Sequence, residues 1–126
     1  MEYNFKKFEG RNVRLEDRIT VTKSYAIGFP TKFYIDNGVR EFQYVVLFWD
    51  AENKAIGIRF TNDEVEKNKF RIIHSKNGYG GSIVVRSFFR SHGIDPVRYH
   101  GRYAWEKYPL EGVGDIFVLR LQEKSG

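Results

Sequence analysis

The sequence predicts an α+β fold, mainly β: a small barrel built from two pseudo-repeated units, each a strand, a short helix and a β-hairpin. Three observations lead there. Apolar and polar residues alternate in several short runs, the period of a strand with one buried face. The helical stretches are brief and punctuated by proline or glycine. The order of elements in residues 13–61 then returns in residues 70–121.

At 126 residues the chain is read as a single domain, 1–126, because two independent cores of half that size would each be marginal. Phe, Tyr and Trp make up 17% of it. That is enough ring area to fill a modest core, and these residues favour strands. Cysteine is absent, which removes disulfides, thiolate nucleophiles and Cys-ligated zinc. The start, MEYNFKKFEG, has no apolar run of signal-peptide type, and no stretch approaches the roughly 20 apolar residues that span a bilayer. The expectation is a cytoplasmic protein with no membrane association.

Residues 1–10 lack periodicity and read as an arm, with Lys6 and Lys7 between Phe5 and Phe8. Val13, Leu15, Ile19 and Val21 then fall on one parity, a strand or two strands broken near Asp17. Pro30 opens a short helix through Asn37 and Gly38 closes it. Proline suits the first turn because its φ is preset, and glycine relieves a left-handed C′ position. Gln43 to Trp49 and Ala55 to Phe60 make a hairpin around the polar turn Asp50 to Lys54. Residues 62–69 are a charged linker, in which Thr61 and Glu64 have the spacing of a capping box.

The second unit starts with a strand from Phe70 to Ser75, a glycine-rich turn from Lys76 to Gly81, and a short apolar run from Ile83 to Val85. A helical segment from Arg86 to His92 ends at Gly93. Tyr99 to Trp105 and Ile116 to Leu121 are the closing strands, joined by a loop with Pro109, Gly112 and Gly114. Laying Phe33 on Phe88 also superposes Tyr34 on Phe89, Gly38 on Gly93, Val39 on Ile94 and Tyr44 on Tyr99. After a longer second loop, Arg59 meets Arg120 and Phe60 meets Leu121. A unit of about 45 residues cannot bury its own core, so the two copies would fold as one body.

The stretch Thr20 to Pro30, with Phe29-Pro30 followed by Asn37-Gly38-Val39, resembles the AbrB-type unit of bacterial transition-state regulators, antitoxins and MraZ. The resemblance implies a swapped-hairpin or cradle-loop barrel, with two units in one chain as in MraZ, and DNA binding. Ser24-Tyr25-Ala26 stands where that family carries a Lys-Gly-Gln-like turn, and the second unit has no proline at the place of Pro30.

Little in the chain points to catalysis. His74, His92 and His100 have no metal-ligand spacing. Gly80-Gly81-Ser82 is not a nucleophile elbow, and the acid pairs lie in polar turns. No enzyme and no cofactor are expected. Glycine-rich Gly78 to Gly81, flanked by Lys76 and Arg86, could bring backbone N–H groups to an anion, but a flexible hairpin turn is the favoured reading because glycine is the common turn residue.

The net charge of +5 favours polyanions. The expected partner is therefore nucleic acid, DNA ahead of RNA, with room for a homo-oligomer or a protein partner. Phosphate contacts would come from Arg18, Lys23, Lys32, Lys76, Arg86, Arg90, Arg98 and Arg102. If Tyr99 to Trp105 is one strand, Tyr99, Tyr103 and Trp105 share a face that could stack on single-stranded bases, or could simply be core. A protein-interaction or inhibitor module in which the charge is incidental is the third reading.

Overall fold

A computed structural model describes residues 3–5 and 17–123. The expected strand positions Val13 and Leu15 and most of the N-terminal arm lie outside the described residues. The first half contains β1 (Ile19–Val21), β2 (Ala26–Phe29), α1 (Thr31–Asp36), a 3-10 turn (Val39–Glu41), β3 (Tyr44–Asp50) and β4 (Ala55–Thr61). The second contains β5 (Phe70–Arg71), β6 (Ile73–His74), β7 (Gly81–Val84), α2 (Arg86–Ser91), α3 (Pro96–Tyr99), β8 (Gly101–Tyr103), β9 (Trp105–Leu110) and β10 (Gly114–Arg120).

These strands form two antiparallel sheets of five. Sheet A, made of the shorter strands, runs β6-β7-β2-β1-β8, and sheet B runs β5-β3-β4-β10-β9. The fold is mainly β, as the alternation requires. The small barrel expected from the sequence is not closed, however. Two stretches that read as single strands each cross from one sheet to the other. Phe70 to Ser75 divides at Ile72 into β5 and β6, and Tyr99 to Trp105 divides into the single turn α3, β8 and then β9 after Ala104. The sheets are thus linked by covalent crossings rather than by a continuous ladder.

Burial is completed between them by rings. Phe33 of α1 is fully buried. Its ring centroid lies 5.7 Å from Phe29 of sheet A, and 5.1 Å from Phe117 and 5.3 Å from Trp105 of sheet B. The first pair is stacked and the other two are edge-to-face, and such contacts stabilise beyond the area buried. Sheet-on-sheet packing filled by aromatics satisfies the apolar faces without closing the barrel.

The punctuation of the helices is as the residues dictate. Pro30 is the N-cap of α1, and Gly38, two residues past its end, has φ 62°. Gly93 follows α2 in the same way with φ 65°. Residues 62–69 are not helical; Asp63 N–H donates to Thr61 Oγ1 and Val65 N–H to Asp63 Oδ1 in tight turns, and the Glu64 carboxylate accepts from the Tyr44 hydroxyl instead of capping. Asn62 bolts this linker to the body, accepting from Gln43 N–H and donating to the Glu41 carbonyl.

Candidate nucleic-acid interface

Three of the eight cationic residues singled out by sequence meet at one corner. The β1–β2 turn places Lys23, exposed, at its tip and holds Tyr25 at φ 64°. A non-glycine residue in this region is unusual, and its position is fixed by bonds on both sides. Ala26 N–H donates to Thr22 Oγ1, and the Tyr25 carbonyl accepts from Val85 N–H at the start of α2. The Tyr25 ring then lies edge-on to Phe89, at 6.2 Å. Arg86 and Arg90, four apart on α2, both reach this ring, with guanidinium carbons 5.2 and 5.6 Å from its centroid.

Like charges at this spacing repel along a helix, and a shared aromatic ring offsets part of that repulsion. Among the described residues no carboxylate pairs with either guanidinium. The corner therefore presents two arginines and a lysine with no carboxylate partner among the described residues. Sequence reasoning names the cations but not Tyr25, which organises them. Its signal is an aromatic in a turn position that favours glycine or asparagine.

The other five cations are placed differently. Lys32 is ion-paired with Asp36 on the next turn of α1. Arg98 pairs with Glu123 and lies over the Tyr99 ring. Arg18 and Arg102 line a cleft of about 700 Å³ that also holds Arg120, Glu106 and Glu123, so its charge is mixed. Lys76 is exposed on the glycine-rich turn. That turn is closed on itself: Gly78 N–H donates to the Ser75 carbonyl, and Tyr79 N–H to Ser75 Oγ and Asn77 Oδ1. These amides are not directed at an anion. Arg86, expected to flank the turn, lies at the far end of β7.

The stacking platform is not formed by the residues expected to make it. Tyr99 and Tyr103 are each 8% exposed. The Tyr103 hydroxyl donates to the Tyr99 carbonyl and accepts from Gln122 N–H, and burial holds its pKa above the usual phenol value. Trp105 is half-buried against Phe33 and Phe117, and its indole N–H donates to the Asp17 carbonyl at 2.9 Å. These rings go to the core because apolar area outweighs any advantage of exposure.

His74 joins elements. Its Nε2 is 2.8 Å from the Phe42 carbonyl, which only accepts, so Nε2 carries the proton and Nδ1 accepts from the buried Tyr34 hydroxyl at 2.7 Å. His92 packs on Phe88 and Trp49. Among the described residues no three His, Asp or Glu side chains gather as metal ligands, and no helix is long and apolar enough to cross a membrane. No family model matches the chain, and no curated protein or solved structure is significantly similar to it.

Proposed function

We propose that the protein binds nucleic acid, as a duplex-DNA-binding regulator of AbrB/MraZ type that holds phosphates at the Lys23–Tyr25–Arg86–Arg90 corner. The observation that carries this reading is the pair of arginines on one tyrosine ring with no carboxylate partner among the described residues. Two planar guanidiniums held at one ring, four residues apart on a helix, suit phosphate oxygens. The net charge of +5 adds a long-range attraction.

The two-unit organisation of that family is supported by the matching halves. Helices α1 and α2 have six residues each, and a glycine of nearly equal positive φ follows both. In the sheets, β2 pairs with β7 and β4 with β10, both antiparallel, as a pseudo-two-fold between units would arrange. Burial of Tyr99 and Tyr103 favours this reading over single-strand stacking.

The test is fluorescence anisotropy with duplex and single-stranded oligonucleotides at two salt concentrations. Duplex binding should weaken steeply with salt, and Arg86→Ala with Arg90→Ala should lower the slope of log K against log salt by about 2, one for each phosphate that is no longer held. Arg98→Ala with Arg102→Ala, in contrast, should change it little. Absence of duplex binding at low salt would sink the proposal, as would a corner variant that binds like the parent.

A further inference from the structure

Asparagine is followed by glycine at two places, Asn37-Gly38 and Asn77-Gly78. At such a pair the glycine nitrogen can attack the asparagine side-chain amide, because no Cβ on the following residue screens its approach. The ring that closes is five-membered, so the reacting atoms never need to diffuse together. The chemistry is the same at both sites. The surroundings are not.

At Asn37 the atom held is the amide nitrogen, the leaving group. Its Nδ2 and its backbone N–H both donate to the Phe33 carbonyl, each at 3.0 Å, and Gly38 N–H donates to the Ile35 carbonyl. Val39, the next residue, is fully buried. Bringing the Gly38 nitrogen onto Asn37 Cγ therefore unwinds the end of α1. At Asn77 the atom held is the oxygen. Oδ1 accepts from Ser75 Oγ at 2.8 Å and from Tyr79 N–H at 3.1 Å. Those donors stand at the atom that gathers negative charge when Cγ is attacked, the arrangement of an oxyanion hole. The Arg40 guanidinium, from the 3-10 turn, lies beside Gly78, its Cζ 3.8 Å from where a Cβ would stand. A cation fixed there favours loss of the Gly78 amide proton. No atom lies within 4 Å of a Cβ placed on Gly38. Ser75, Lys76, Asn77 and Tyr79 are exposed, and the backbone bond that attack must open, Gly78 N–H to the Ser75 carbonyl, is at a hairpin tip. Such bonds open far more readily than those anchored in a core.

We propose that Asn77 is a self-modifying site, at which the folded chain closes a succinimide with Gly78 and opens it to aspartate or isoaspartate, while Asn37 stays intact. The Gly78 nitrogen gives its proton to hydroxide and bonds to Asn77 Cγ. The Cγ–Nδ2 bond then breaks, and the amide leaves as ammonia with a proton taken from water. Water next adds to one of the two ring carbonyls and breaks its bond to the ring nitrogen, which recovers a proton. Addition at Cγ gives aspartate, and addition at the backbone carbonyl gives isoaspartate. One water is consumed and one ammonia released, with no change of oxidation state. Either product adds a carboxylate to the turn that Lys76 and Arg40 flank, so the conversion lowers the positive charge at this end of the molecule. The inference is independent of the nucleic-acid corner, which lies on α2 and the β1–β2 turn.

Incubation of the full chain in mildly alkaline buffer, followed by tryptic peptide mapping with mass spectrometry, tests it. Cleavage after lysine and arginine puts the two asparagines on separate peptides, residues 33–40 and 77–86. The second should gain the mass of an amide-to-acid conversion and split into two chromatographic species. Its rate should exceed that of the first about tenfold or more. In concentrated urea, which removes both environments, the two rates should converge to within about three-fold. Ser75→Ala and Arg40→Gln, both at exposed positions, should each slow the folded conversion several-fold and leave the rate in urea unchanged. A folded chain whose Asn77 stays intact, or reacts no faster than Asn37, overturns the proposal. So does a pair of variants that both convert as fast as the parent.

Discussion

Two corners of the molecule are built alike and charged differently. In each, a hairpin tip approaches the start of a short helix: the β1–β2 turn at α2, and the β6–β7 turn at α1. At the first, Tyr25 carries Arg86 and Arg90, and Lys23 is exposed on the same turn. At the second, the positions matching those arginines are Thr31 and Ile35, Lys32 is held by Asp36, and the turn uses its own amides. The buried residue of the helix differs as well. Phe89 of α2 has no polar atom to satisfy, while Tyr34 of α1 needs His74. One unit uses its polar groups to hold the fold together, and in the other the two arginines meet an aromatic ring and no carboxylate among the described residues.

Breaking the inner network should have the largest effect. His74→Ala strands the Tyr34 hydroxyl and the Phe42 carbonyl, and should cost about 2–3 kcal/mol in urea unfolding. Arg86→Ala with Arg90→Ala should leave stability within about 0.5 kcal/mol, or raise it by relieving repulsion. The same variant should lose duplex affinity roughly 100-fold at low salt, whereas Lys32→Ala should change it little. Equal losses from the two corners would erase the distinction between them. Making the second helix resemble the first comes next. Phe89→Tyr introduces a hydroxyl where the residue is fully buried and should destabilise by about 1–2 kcal/mol. Smallest is Asp36→Asn, which releases Lys32 and should tighten duplex binding about two-fold.

The residues that punctuate the chain carry most of the legible fold. Pro30 and Gly38 bracket α1, Gly93 ends α2, and the β3–β4 hairpin begins and ends within about a residue of its expected limits. The stretch around Tyr99 misleads because its alternation continues unbroken through a change of sheet. A local signal for its first turn is present: Asp95 caps Val97 N–H ahead of Pro96, a sequence that starts helices. Nothing local marks Ala104 or Ile72 as crossing points. Period two reports that a strand has a buried face, not which sheet it joins.

The candidate site is legible in part for the same reason. A basic excess and the cations themselves can be read from composition and order. Lys23, Arg86 and Arg90 meet only because β2 pairs with β7, bringing a turn near residue 25 beside a helix that starts at residue 86. Salt-bridge partners are likewise tertiary: Arg98 looks equivalent to Arg86 in sequence until Glu123 takes it.

By itself, then, the sequence determined a mainly β chain with two short helices at fixed places and an excess of positive charge. Those follow from periodicity, backbone preference and composition, which act over a few residues. Tertiary structure decided that the strands make two sheets rather than one barrel, that Tyr99 and Tyr103 are core, and that Arg98 meets the Glu123 carboxylate. Each of these depends on a neighbour distant in the chain, and packing, not local pattern, selects that neighbour.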